Sequence, residues 1–361
     1  MKYKTALIFF AVLLVLVMLV TVISPFPGGF HSNAMTQAES AAFGCELPSM
    51  SVSHGEDHVI EWTDSGMESA IRQLLNKPEG DILRSEIWDI SVLDISCNSA
   101  DGTGYVKANT IFDSMTYELS EDTPWIKSLQ DLAYFDSLQQ LFVSGMSLSD
   151  TLMHPVSLSG LSQCQNLQYL ALGGLELTDL EELSSCTNLL ALKISGVPLE
   201  SLELLRPLHS LEYLKLIGYP ALDLMPLTEL SQLKTLILSG SELLSLEPLT
   251  QLPALKNLKL DIGTMYPSLD PLANTRLEYL SLNAGRLKLR TEVYDHLDYA
   301  PLTKIPTLVF LDLENHRNVD ADLCSAIVES APGLLYLSVN QTPAAQNFKA
   351  PKQLIYFGND Y

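Results

Sequence analysis

Positive charge is scarce in this chain: 21 lysines and arginines stand against 43 aspartates and glutamates, a net charge of −22 over 361 residues. A field of that sign repels phosphate backbones, so nucleic acid is excluded as a partner. Cysteine is scarce too. The five present, Cys45, Cys97, Cys164, Cys186 and Cys324, are odd in number, which argues against a disulfide framework. Catalytic signatures are missing: there is no Gly-x-Ser-x-Gly elbow, no Walker-type loop, no His-Glu-x-x-His helix and no kinase set. A catalytic thiol would need an activating histidine, and none is identified. The chain therefore reads as no enzyme and as needing no cofactor. His54, Glu56, Asp57 and His58 crowd together, yet no further ligand is evident and no metal site is expected.

Long hydrophobic runs are limited to one. Lys2 and Lys4 precede an uncharged stretch over residues 5–23, followed by Ser24, Pro25 and Phe26. This is an export signal. Its 19 residues approach the ~20 that span a bilayer, which favours an uncleaved anchor with the bulk of the chain outside the cytoplasm. Cleavage after Ala34 is the alternative, and it would release the chain as a secreted protein. Residues 1–24 are thus the signal peptide or membrane anchor, and residues 25–58, with no apolar period, a linker.

What the chain has in abundance is leucine at a fixed interval. The phrase L-x-x-L-x-L opens at Leu167, Leu189, Leu211, Leu233 and Leu255, 22 residues apart each time. Looser copies open at Ile90, Leu138, Leu277, Leu308, Leu334 and Leu354. Alternation within the phrase predicts a short strand with one buried face. After the strand, apolar residues fall at every third place, as in Leu199, Leu202, Leu205 and Leu208, which suits a tight helical or extended return. One unit cannot bury its own leucines, so the strands must stack into a parallel sheet covered by the returns.

The phrase and its period resemble the leucine-rich repeat, in the short-repeat class of the bacterial internalins. The resemblance covers roughly residues 59–357. It implies an α/β solenoid, a horseshoe with a parallel sheet on its concave face and a helical amino-terminal cap. One departure stands out. The family's asparagine or cysteine at repeat position nine is replaced by Leu175, Val197, Tyr219, Ser241 and Gly263, so those turns must satisfy their backbone groups in another way.

At the amino-terminal end, Asp64 is a good N-cap for an amphipathic helix carrying Met67, Ile71, Leu74 and Leu75 on one face. Residues 59–95 read as the helical cap and first repeat strand. Residues 96–137 break the period and read as an insertion, a hairpin projecting from the cap that serves either as a flap or in binding. Residues 138–361 hold the repeats, which lengthen towards the carboxyl end, with a convex helix over residues 320–330.

Cys164 and Cys186 lie one period apart and should stack as buried small residues, with a disulfide as the alternative. The candidate binding surface is the outer face of the sheet, where positions three, five and seven are expected to meet solvent. It gathers aromatic residues and three of the scarce lysines: Tyr169, Lys193, Tyr213, Lys215, Ile217, Thr235, Ile237, Asn257, Lys259, Tyr279, Phe310 and Tyr336, with Tyr356 ending the series. Such residues are enriched where proteins bind proteins. Stacking of neighbouring rings within the sheet would explain the aromatics equally. The function expected is that of an extracytoplasmic module binding a protein partner, with a carbohydrate-binding surface that stacks sugars on the aromatics as the alternative.

Overall fold

The computed structural model describes residues 52, 54–98, 104–110, 114–119, 124–146, 155–174, 176–197, 199–265, 268–283, 297–340, 342–352 and 354–357. Residues 56–361 belong to one compact unit. The expected signal or anchor, most of the linker, Cys45, Leu175 and the tip of the insertion lie outside the described residues. Among the described residues no helix is long and apolar enough to cross a membrane.

The repeat phrases from Leu138 to Leu334 each fold as a strand that starts at the third position, whereas the first copy begins its strand at Ile90 itself. In chain order these are β1 (Ile90–Asn98), the hairpin β2 (Gly104–Thr110) and β3 (Ser114–Leu119), then β4 (Gln140–Met146). A short strand β5 (Pro155–Ser157) precedes β6 (Tyr169–Gly173), and another, β7 (Glu176–Thr178), follows it. Next come β8 (Ala191–Ser195), β9 (Tyr213–Leu222), β10 (Thr235–Leu243), β11 (Asn257–Met265) and β12 (Tyr279–Asn283). The series ends with β13 (Phe310–Asp312), β14 (Tyr336–Ser338) and β15 (Ile355–Phe357). Thirteen of them form one sheet, ordered β15-β14-β13-β12-β11-β10-β9-β8-β6-β4-β1-β2-β3. From β1 to β15 every neighbouring pair is parallel.

Register follows the period. Leu170, Leu192, Leu214, Leu236, Leu258 and Leu280 pair in succession, and the sixth-position leucines and isoleucines do likewise. These side chains are buried, and with the leucines of the returns they make one continuous core. The chain is a leucine-rich repeat solenoid by this register. The last copy is displaced by one residue from the sequence expectation, because Ile355 pairs with Tyr336 and Tyr356 with Leu337. A slip of one residue exchanges the two faces of a strand. Ile355, and not Tyr356, therefore continues the outer column of the sheet.

The three-residue spacing of the returns is the period of the 3-10 helix, in which side chains three apart eclipse one another. Turns of that helix occur at Leu180–Ser185, Glu203–Leu205, Met225–Glu229, Glu247–Gln251, Asp270–Asn274 and Ala300–Lys304. Several are opened by a side chain two residues ahead: Ser201, Asp223, Ser245, Ser268 and Asp298 each accept the backbone N–H at 2.9–3.2 Å. Two earlier returns add a short extended strand ahead of their 3-10 turn, and these strands, β5 and β7, pair in parallel. Cys164 and Cys186 are free, buried thiols pointing at backbone carbonyls of Leu132 and Leu161. Burial pushes both up to about 12, so neither is a thiolate at neutral pH.

The absent asparagine column is replaced piecemeal. Tyr219, at position nine, donates its hydroxyl to the carbonyl of Ile194 at 2.8 Å. His316, at the same position of its own repeat, has Nε2 2.6 Å from the carbonyl of Leu282. One position earlier, Gly174, Gly196 and Gly218 stack with φ of 62°, 65° and 89°. That left-handed turn lets Gly174 N–H reach Ser195 O and Gly196 N–H reach Ile217 O, both at 2.9 Å.

At the amino-terminal end, α1 (Ser65–Leu74) buries Met67, Ala70, Ile71 and Leu74 in the common core. Two buried carboxylates fasten it. Asp64 accepts from Met67 N–H at 2.8 Å and from the N–H groups of Lys127 and Ser128 at 2.8 and 3.0 Å. Asp131 accepts from Thr63 N–H and Asp64 N–H, both at 2.9 Å. The hairpin does not project: β2 pairs antiparallel with β1, and β3 with β2, so they extend the sheet and β3 forms its edge. Near the other end, α2 (Ala321–Ser330) is capped by Asp320, which accepts from Leu323 N–H at 2.8 Å.

Candidate binding face

The strand register sets three columns on the outer face of the sheet. Position three runs Tyr169, Ala191, Tyr213, Thr235, Asn257, Tyr279, Phe310, Tyr336 and then Ile355. Position five runs Lys193, Lys215, Ile237, Lys259, Ser281, Asp312 and Ser338. All twelve residues expected on this face stand in these columns or, for Ile217, in the third.

Their exposure differs from expectation. Tyr169, Lys193, Tyr213, Ile237, Tyr279 and Phe310 are buried, and Lys215, Ile217, Thr235, Asn257, Lys259 and Tyr336 are half-buried. None of the twelve is openly exposed; even Lys193 keeps only 7% of its surface. Part of the reason is packing between repeats. Tyr279 stacks on Phe310 with ring centroids 4.3 Å apart, and Phe310 on Tyr336 at 4.2 Å, the planes within 16° and 13°. Asn257 Nδ2 likewise bonds Thr235 Oγ1 at 3.0 Å. Strand neighbours about 4.8 Å apart hold rings at close to stacking distance.

Stacking between repeats thus takes up ring faces that sugars would need at Tyr279, Phe310 and Tyr336. Both faces of Phe310 are taken, as is one face each of Tyr279 and Tyr336. The carbohydrate alternative finds no support in this geometry.

Charge on the face is ordered along the solenoid. Lys193 and Lys215 occupy its middle, Lys259 and Asp261 share β11, and Asp312 and Glu314 lie in its carboxyl-terminal part. Asp312 is buried and accepts from Ser281 Oγ at 2.9 Å and from Glu314 N–H at 3.1 Å. Burial, followed by the charge of Glu314, pushes its carboxyl up to about 6. Glu314 Oε1 accepts from Ser338 Oγ and Asn340 Nδ2, both at 2.6 Å. Burial also raises Asp261, which Lys259 and Ser239 partly offset. Tyr336 is pushed up to about 12 by burial and by both carboxylates.

Among the described residues no three histidine, cysteine, aspartate or glutamate side chains come together as a metal would need. Of the amino-terminal cluster, His58 turns Nδ1 to the carbonyl of Glu56 at 3.0 Å and sets its ring edge-on to Tyr134. The Asp312–Glu314 pair was not singled out in the sequence as a site. Its signal was an acid at both position five and position seven of one repeat, where the other repeats carry at most one.

No protein-family model matches the sequence, and no curated relative matches it. Solved structures similar to it include an internalin, inlF, of Listeria monocytogenes strain 4b F2365, at 18% identity and a TM-score of 0.43. That likeness covers 82% of this chain and 96% of that one. Internalin C2 of the same strain is similar at 20% identity and a TM-score of 0.38, over 61% of this chain and 93% of that one.

Proposed function

We propose that the protein is an extracytoplasmic interaction module that binds a partner protein through the concave face of its sheet, without catalysis. The observation that carries this reading is the ordered face itself. A continuous parallel register presents lysines, hydroxyls, aromatic edges and carboxylates in fixed columns. Stacked rings and inter-strand hydrogen bonds hold those side chains before any partner arrives, which lowers the entropy lost on binding. The lysines of its middle would steer acidic groups in an otherwise acidic protein. Export rests on the apolar run over residues 5–23, which either anchors the chain in a membrane or is cleaved to release it.

The test is capture from cell-surface extracts by the full chain carrying a photo-crosslinker at Ser239, beside a Lys215→Glu, Lys259→Glu double variant. A protein cross-linked by the first and lost by the second, with far-ultraviolet circular dichroism unchanged, supports the face as the docking surface. Equal capture by both places binding elsewhere.

A further inference from the structure

We infer that Asp312 and Glu314 form the seat for a cationic side chain, an arginine or a lysine, of the partner protein. This rests on the reading of the concave face as the docking surface.

The two carboxylates lie two residues apart, the first at the end of β13 and the second just beyond it, on one face of the sheet. No lysine, arginine or histidine among the described residues lies within ion-pair distance of either. Their partners are neutral donors only: Ser281 and the Glu314 N–H for Asp312, Ser338 and Asn340 for Glu314. The Glu314 bonds both fall on Oε1, which leaves Oε2 uncommitted. A carboxylate accepts about four hydrogen bonds, so Asp312 keeps capacity as well.

A second, independent observation concerns Tyr279. Its hydroxyl is buried with no hydrogen-bond partner among the described residues. It lies near Ser281 and within the field of Asp312. Buried polar groups are nearly always paired, and an orphan of this kind marks a missing partner. The corner therefore holds two carboxylates and a phenol oxygen and lacks N–H donors. The other charged or titratable groups facing it are Lys259 and Tyr336. Asp312 is ionised at neutral pH, since its carboxyl titrates at about 6.

A guanidinium brings five N–H donors in a planar fork, and an ammonium brings three. Either would neutralise the pair. A hard divalent ion suits the site less well, because calcium takes six to eight oxygens and no third acidic group joins these two. Glu314 is half-buried, so the seat opens to solvent.

The experiment is a titration of the full chain with the peptide acetyl-Gly-Arg-Gly-amide, followed through the side-chain carboxyl carbon of Asp312 by NMR. The uncharged citrulline peptide and calcium chloride run in parallel. The arginine peptide should saturate, bind more tightly as pH rises through about 6, and lower the Asp312 titration midpoint. Citrulline in place of arginine, and the variants Asp312→Asn and Glu314→Gln, should each weaken binding roughly tenfold or more, as loss of a charge-assisted contact does. Equal binding of the citrulline peptide, unchanged binding by Asp312→Asn, or saturation by calcium in place of the peptide would overturn the seat. Arginine binding with no partner captured would count against the docking face and spare the seat. Capture without arginine binding would do the reverse.

Discussion

Tyr219 and His316 stand at the same position of different repeats and make the same bond, each to the sixth-position carbonyl of the repeat before. A phenol and an imidazole thus replace the short amide that the repeat family uses. Tyr219→Phe keeps the ring and orphans the Ile194 carbonyl. We expect a loss of about 1–2 kcal/mol, read by urea denaturation. No loss would mean that the turn at residues 195–197 closes without that bond.

His316 gives the stability a pH dependence. Nε2 faces a carbonyl, so it carries the proton, and Nδ1 accepts from Tyr299 Oη at 2.6 Å. Burial lowers its pKa from 6.5 to about 4. Between those values the unfolded chain binds more protons than the folded one. The stabilisation is complete above 6.5 and is lost as pH falls towards 4, by about 3 kcal/mol in all. Comparing urea midpoints of wild type and His316→Gln from pH 4 to 7 checks this, and a pH-independent difference between the two contradicts it.

Asp312 works in the opposite sense over an overlapping window. Its folded value of about 6 lies above the ordinary 3.8, so its contribution is present below 3.8 and lost as pH rises through 6. Asp312→Asn removes the buried charge and should raise stability at pH 7 by about 2 kcal/mol. Thermal melts at pH 7 and pH 4 should show the gain at the first and little at the second. A variant less stable at pH 7 would mean that the ionised carboxylate is compensated in the folded chain.

Gly66 tests packing against propensity. Alanine there would gain up to about 1 kcal/mol of helix propensity. Its Cβ, however, would lie 2.5 Å from the backbone carbon and oxygen of Trp125, which α1 must approach to be tied by Asp64. The clash with backbone wins, and Gly66→Ala should melt lower than wild type. A higher melting temperature would show that α1 can move away from residues 124–128 at little cost.

Much of the architecture was legible because leucine placement and strand register share one period. Leu170, Leu192 and Leu214 could be assigned to neighbouring strands on one face before any coordinate was known. Ile355 escaped because a strand of three residues at the end of a series carries too little pattern to fix its phase. The glycine column is a different case: Gly174, Gly196, Gly218 and Gly240 recur every 22 residues, but glycine adds nothing to the apolar pattern that marks the strands. Burial of Lys193 and the rings could not be read from alternation, which assigns a face and says nothing of how closely neighbours on it pack. Asp64 was legible as a cap, whereas its bonds to Lys127 and Ser128 span more than 60 residues and leave no local trace.

The uniform register also makes the molecule a ruler. Lys215 and Asp312 share a column and are separated by four strand steps, through Ile237, Lys259 and Ser281. At about 4.8 Å per step their backbones are ~19 Å apart. A partner that touches both must carry its complementary charges at that separation. Removing residues 233–254, one whole period, would bring Leu216 beside Leu260 in phase and shorten the gauge by a single step while leaving both end points chemically intact.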